Sequence, residues 1–103
     1  MKTNVQGYRV IKSPADVAQF FIYLVFERKV NIHPDDPFKD YVNENLEPTF
    51  TTEEAECYDR MMETSFDICE TYGVDIYEIC CRVFALYYYC CNNSKMTGLY
   101  DGK

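Results

Sequence analysis

One stretch near the end of the chain, residues 75–91, most restricts what this protein can fold into. Its sequence is DIYEICCRVFALYYYCC, and its only charged residues are Asp75, Glu78 and Arg82. A helix built from these residues is apolar almost all the way round, so it needs other protein on most of its sides. Asp75 and Glu78 also have the spacing of a capping box. The stretch therefore predicts a helix that starts at Asp75 and packs against other helices.

The first half of the chain contains one strong helix signal and one weak one. Ser13 and Pro14 favour a helix start, and apolar residues recur at helical spacing from there to about Lys29. Prolines interrupt the segment 31–48, and each disfavours helix in the residue before it. Within that segment we expect one short helix over residues 37–42, capped by Asp36.

The middle of the chain predicts a long amphipathic helix over residues 51–72. Thr51 and Glu54 have the spacing of a second capping box, and the apolar residues after them recur every three or four positions. Gly73 can adopt the left-handed conformation that commonly ends a helix. This helix and the one that starts at Asp75 should therefore form a tight antiparallel hairpin.

The predicted fold is all-α, a compact bundle of three main helices plus one short helix, with an extended N-terminal arm. A chain of 103 residues suffices for one domain with a substantial buried core. Residues 1–12 should form the arm, and the polar residues 92–103 a flexible tail. No stretch approaches the roughly 18 uncharged residues of a membrane span, so no membrane contact is expected.

Charge is distributed unevenly along the chain. The net charge is -7, and residues 35–78 hold fourteen acids against two basic residues. Nucleic-acid-binding proteins usually carry the opposite sign, so direct binding of nucleic acid is not expected. Five acids on the 51–72 helix share one face opposite the apolar stripe, with Arg60 between them. This face is either a solvated surface or a site for a basic partner, and its candidate partner-binding residues are Glu53, Glu56, Glu63, Asp67 and Glu70.

The six cysteines raise the question of a disulfide, metal or redox site. No secretory leader is recognisable, so we expect a reducing cytoplasm, where thiols stay reduced. The vicinal pairs at 80–81 and 90–91 lack the spacing of metal ligands, which favours a role as small buried hydrophobes. A pairing of Cys69 with Cys80 or Cys81 across the hairpin is the alternative.

The only histidine lies in an acidic loop. Imidazole and carboxylate groups converge easily on a loop, so this cluster is the candidate for a divalent metal site. The same residue types are also common turn formers and helix caps. The candidate metal ligands are His33, Asp35, Asp36 and Asp40.

Three consecutive tyrosines, residues 87–89, point to three different faces of their helix. At most two of these faces can enter a bundle core. We expect Tyr89, together with Ala85 and Arg82, to lie at the surface or in an oligomer interface. Tyr89 and Arg82 are therefore further candidate partner-binding residues.

No motif for catalysis is recognisable. The chain has no Gly-rich phosphate loop and no nucleophile motif, and one histidine leaves most acid-base chemistries without their usual partner. We expect neither an enzyme nor a bound cofactor. The segments PDDPFKDYVN and FDICETYGVDIYEI resemble small uncharacterised helical proteins encoded in gut-bacterial genomes. The resemblance implies a bacterial, cytoplasmic, accessory protein and implies no particular activity.

Three hypotheses on function follow from the sequence. The first is a small cytoplasmic protein-interaction module, accessory or regulatory, that forms a homodimer and binds a protein partner. The second is an acidic decoy or antitoxin-like inhibitor of a nucleic-acid-binding protein, and the third is a metal-binding protein.

Overall fold

The computed structural model describes the backbone of residues 8–101 and the side chains of residues 8–91. Over this range the chain is helical and contains no β-strand, apart from an isolated bridge between Val42 and Pro48. The all-α prediction of three main helices and one short helix is confirmed. The elements in order are α1 (Pro14–Ile22), a π-helical turn (Tyr23–Glu27), a 3-10 helical turn (Phe38–Asp40), α2 (Thr52–Tyr72) and α3 (Ile76–Asp101).

The start of α1 follows its local sequence. Ser13 is extended, its Oγ accepts a hydrogen bond from the Asp16 N–H at 3.3 Å, and proline occupies the first turn. Residues 8–12 before it have no regular secondary structure, and Ile11 is buried against the core. This agrees with the predicted extended arm, whose residues 1–7 lie outside the described range.

After Ile22 the chain continues in a π-helical turn, which is wider than the α-helix that the apolar spacing predicts. The Arg28 N–H donates to the Tyr23 carbonyl at 3.2 Å, five residues back, which is the bond of a π-helix. Lys29 then adopts φ 58° and ends the helix close to the predicted position. Arg28 pairs with Glu54 of α2 at 3.3 Å, so the end of this helix is anchored to the next long helix.

The short helix differs from its prediction in both length and cap. It covers only Phe38–Asp40, and Pro37 precedes it without a side-chain hydrogen bond. The Phe38 N–H instead donates to the carboxylate of Asp59 on α2 at 3.0 Å. The predicted cap, Asp36, is therefore wrong, because a residue distant in sequence supplies the acceptor.

Both ends of α2 form as predicted. Thr51 and Glu54 exchange both bonds of the capping box, at 3.0 and 2.9 Å. At the other end Gly73 has φ 69°, and the N–H groups of Gly73 and Val74 donate to the Glu70 and Cys69 carbonyls. This pair of bonds is a Schellman motif, which satisfies carbonyls that α2 would otherwise leave free.

The two ends of α3 correct two predictions. The Asp75 carboxylate caps the helix by accepting the Tyr77 N–H at 2.9 Å, but the Glu78 carboxylate bonds to Arg82 at 2.7 Å. Asp75 is therefore a simple N-cap, and the predicted capping box does not form. At the other end the helix continues to Asp101. It therefore does not end at Cys91, and residues 92–101 of the predicted tail belong to the helix. No helix in residues 8–101 is both long and apolar enough to cross a membrane.

The core is a cluster of aromatic rings between α1, α2 and the 3-10 turn. Phe38 lies at its centre, with ring centroids of Phe20, Phe50 and Tyr58 at 5.5 to 6.3 Å. All four residues are buried. The inner side of α3 adds a second, smaller part of the core through Ile76, Cys80 and Val83. Rings at these separations contribute attraction beyond the area that they bury.

Candidate functional site: the outer face of α3

The bundle covers α3 on one side only. Ile76, Cys80 and Val83 are buried on that side, and Tyr87 packs edge-on against Phe26 with centroids 5.1 Å apart. Cys90 follows Val83 by seven residues and so points in nearly the same direction, yet it is exposed. The bundle therefore ends near Tyr87, and α3 continues beyond it. The expectation that this helix is covered on most of its sides is not met within one chain.

The uncovered side of α3 is rich in apolar and aromatic side chains. Leu86, Tyr88 and Tyr89 are 45%, 54% and 64% exposed. Tyr89 is the most exposed of the three consecutive tyrosines, as the sequence predicted, and Arg82 and Ala85 are exposed with it. We call this surface the outer face of α3, and it consists of Glu78, Cys81, Arg82, Ala85, Leu86, Tyr88 and Tyr89.

The outer face of α3 carries no net charge. Its only charged side chains, Glu78 and Arg82, bond to each other at 2.7 Å, one helical turn apart. The whole chain has a net charge of -7, so a neutral surface of this size differs from the average of the protein. Such a surface lacks the long-range repulsion that acidic surfaces exert on other acidic proteins.

An apolar groove runs along each flank of the outer face. One groove of about 380 Å³ lies between α1 and α3, with Ala15 and Ala18 on one wall and Leu86 on the other. The second, of about 410 Å³, lies between the loop at Ile32 and the α3 residues Phe84 and Tyr88. Both grooves are lined almost entirely by apolar atoms, so the apolar surface continues from the helix onto its neighbours.

Of the four predicted metal ligands, the structure brings only His33 and Asp35 together, with His33 Nδ1 3.9 Å from the Asp35 carboxylate. The Asp35 N–H donates to His33 Nδ1 at 3.1 Å, and the Tyr77 hydroxyl donates to the Asp35 carboxylate at 2.7 Å. Asp36 and Asp40 are exposed and do not join them. Within the described range, no group of three His, Cys, Asp or Glu side chains is placed to hold a metal ion. The bond from Tyr77 instead fastens the loop to the start of α3, and the bond to His33 lies within the loop.

The six cysteines are all unpaired: three are buried, two are exposed and Cys91 is half-buried. Cys57, Cys69 and Cys80 are buried, as predicted, and burial raises the pKa of each thiol. For Cys80 the pKa reaches about 11, so its reactive thiolate is scarce at neutral pH. Cys81 and Cys90 are exposed, so the prediction of burial is wrong for them, because they lie where no other element covers α3. The proposed pairing of Cys69 with Cys80 or Cys81 does not form.

The acidic face of α2 lies at the surface. Its five acids and Arg60 are exposed, whereas the opposite side of the helix is buried through Tyr58, Met61, Met62 and Ser65. We call this second surface the acidic strip, and it consists of Glu53, Glu56, Arg60, Glu63, Asp67 and Glu70. The spacing of these residues was sufficient to predict their common face.

Comparison with known proteins adds nothing to this description. No protein family, curated protein or solved structure matches the chain.

Sequence reasoning identified part of the outer face and missed the rest. It named Tyr89 and Arg82, but not Leu86, Tyr88 or the alanines of α1 that line a groove. Their exposure depends on where the neighbouring elements end. One feature of the sequence could have identified Tyr88 as exposed. Tyr88 follows Cys81 by seven residues, so both lie on the same side of the helix, away from the side defined by Cys80 and Val83.

Proposed function

We propose that this protein is a small interaction module, accessory or regulatory, that binds another macromolecule through the outer face of α3 and carries out no catalysis of its own. The observation that supports the proposal is the exposure of Leu86, Tyr88 and Tyr89 on a neutral surface. Exposed apolar patches bordered by polar residues are typical of interaction sites. We also propose a cytoplasmic location, because the exposed thiols of Cys81 and Cys90 persist best in a reducing compartment.

The outer face of α3 supplies part of the free energy that specific binding requires. The exposed parts of Leu86, Tyr88 and Tyr89 amount to roughly 300 Å², whose burial corresponds to about 7 kcal/mol. Loss of translational and side-chain freedom opposes this gain and can equal it. Burial of the two flanking grooves adds the further area that a stable complex requires.

A capture experiment with matched variants tests the proposal. We expect Tyr89→Glu to abolish retention of the partner by the tagged protein, because it places an unpaired charge in the centre of an apolar contact. Tyr72→Glu is the control, since Tyr72 is 57% exposed, lies on α2 and lines neither flanking groove. Bound proteins are compared by mass spectrometry, and circular dichroism checks that helicity is unchanged. Equal capture by both variants would contradict the proposal.

The acidic strip supports a second candidate function, that of a decoy or antitoxin-like inhibitor of a nucleic-acid-binding protein. All five of its acids are exposed along one side of a long helix. A basic protein held by this strip should elute early in a salt gradient, because exposed charge pairs weaken as the Debye length falls below about 10 Å.

Charge reversal distinguishes binding through the acidic strip from binding that depends only on the net charge of the protein. We expect the triple variant Glu56→Lys, Glu63→Lys, Asp67→Lys to lose the early-eluting basic protein while it keeps its helicity. The control reverses three exposed acids outside the strip, at Asp40, Glu44 and Glu47, with the same change in net charge. If both triple variants lose the basic protein equally, general charge and not the strip binds it.

A further inference from the structure

We propose that the outer face of α3 binds a second copy of this chain, with the two α3 helices antiparallel and Ala85 next to the two-fold axis. This inference rests on the proposed function, because it uses the same surface and names its partner. Most homodimers are closed by a two-fold axis, so the surface must be complementary to itself in size, charge and shape.

Among the exposed surfaces, the outer face of α3 has the charge best suited to contact with its own copy. A two-fold interface brings each surface close to its own copy, so a dimer through the acidic strip would place five acids against five. The outer face of α3 carries one acid and one base, which neutralise each other at 2.7 Å. In a chain with a net charge of -7, this neutral face is suited to approach by an identical molecule.

The size of the surface fits a small dimer. A stable interface buries roughly 800 Å² on each partner. The exposed parts of Leu86, Tyr88 and Tyr89, roughly 300 Å², supply more than a third of this area. The stem of Arg82 and the walls of the two flanking grooves supply the remainder, because a helix laid on the outer face projects its own side chains into both grooves.

The order of residues around Ala85 favours the antiparallel arrangement. Cys81 and Tyr89 lie four residues before and after Ala85, about 6 Å along the helix on either side. An antiparallel crossing at Ala85 therefore places the large Tyr89 opposite the partner's Cys81, which is small. The methyl group of Ala85 permits a close approach of the two helix axes at the crossing.

The charged residues favour the same orientation. Arg82 and Tyr89 are seven residues apart and so lie on the same flank of the outer face, three residues before and four after Ala85. The antiparallel crossing therefore brings Arg82 beside the partner's Tyr89, where a cation–π contact is favourable. A parallel arrangement would place Arg82 beside the partner's Arg82 and Glu78 beside the partner's Glu78. Like charges at such positions weaken a helix pair.

Sedimentation velocity over a range of protein concentrations tests the dimer. We expect the wild-type protein to dimerise and Ala85→Arg to raise the dissociation constant at least about 100-fold, because two arginines meet at the axis. Thr64→Arg, at an exposed site on α2, is the matched control and should still dimerise. Ala85 is exposed, so its variant should keep the wild-type circular dichroism spectrum. A monomeric wild-type protein, or a dimer unaffected by Ala85→Arg, overturns the proposal.

Disulfide trapping tests the orientation. In a background with Cys90→Ser and Cys91→Ser, we expect Tyr89→Cys to form a cross-linked dimer with the native thiol at position 81 when a mild oxidant is added. Adding Cys81→Ser should abolish that band, because two antiparallel helices hold their own 89 positions about 12 Å apart along the axis. A band that persists without the thiol at position 81 indicates a parallel pair and overturns the antiparallel assignment.

Failure of the dimer can be distinguished from failure of the proposed function. If the protein is monomeric but still captures another protein through Tyr89, the dimer proposal is wrong and the proposed interaction module is supported. If the protein is monomeric and its capture of other proteins does not depend on Tyr89, both the dimer and the proposed function are wrong.

Discussion

We expect Phe38→Ala to lower the free energy of unfolding by about 3–5 kcal/mol, the range measured when a buried phenylalanine is truncated. Phe38 is 1% exposed, and its ring contacts those of Phe20, Phe50 and Tyr58. Its removal leaves a cavity that three rigid rings cannot easily fill. A small domain is stable by only about 5–15 kcal/mol, so this single change removes a large share of its stability.

The effect of Phe38→Ala should be specific to this position. Urea unfolding followed by circular dichroism gives the free energy, and Phe38→Leu should lose less because it keeps most of the apolar volume. Phe66→Ala is the matched control, since Phe66 is only partly buried and lies at the edge of the core. A loss below about 1 kcal/mol for Phe38→Ala would show that the ring cluster does not hold the fold together.

The second large effect is a loss of stability in alkaline solution. Burial, and to a smaller extent the neighbouring Cys81, raises the pKa of the Cys80 thiol from 9.0 to about 11. Burial also raises the pKa of Tyr41 from 10.0 to about 12, against a smaller opposite effect of its hydrogen bond with His33. In both cases the unfolded chain loses its proton at lower pH than the folded chain does. The contribution to stability is therefore complete below pH 9 and is lost as the pH rises toward 12.

The size of the alkaline effect follows from the shifts. Two pKa units correspond to at most about 3 kcal/mol for the buried Cys80, and solvent screening makes the contribution of the half-buried Tyr41 smaller. We expect Cys80→Ala to flatten the fall in unfolding free energy between pH 9 and 11, whereas Cys90→Ala, at an exposed site, should leave it unchanged. Urea unfolding at each pH provides the measurement. An equal slope for the wild-type protein and Cys80→Ala would refute this assignment.

The helix ends were predictable because their determinants lie close together in the sequence. The bonds of Ser13 with Asp16 and of Thr51 with Glu54 join residues three positions apart. The turn at Gly73 needs only a residue that tolerates positive φ. Interactions of such short range can be recognised without knowing how the helices pack.

The candidate site was predictable only in part. The acidic strip follows from helical spacing alone, and Tyr89 follows from the impossibility of burying three consecutive tyrosines. The metal hypothesis could not be judged in this way, because it depended on where four side chains of one loop point. In the structure, a hydrogen bond from Tyr77 engages Asp35 and another from the Asp35 N–H engages His33.

What the sequence by itself determined about this protein is its all-α class, the start of each main helix and the turn at Gly73. Only the tertiary structure decided that Asp59, 21 residues away, caps the turn at Phe38, and that the inner side of α3 loses its cover beyond Tyr87. The physical reason is the range of the interactions. Helix caps and periodic apolar residues depend on neighbours a few positions away in the sequence. How much of α3 is buried depends instead on where α1 and the loop at Ile32 end in space.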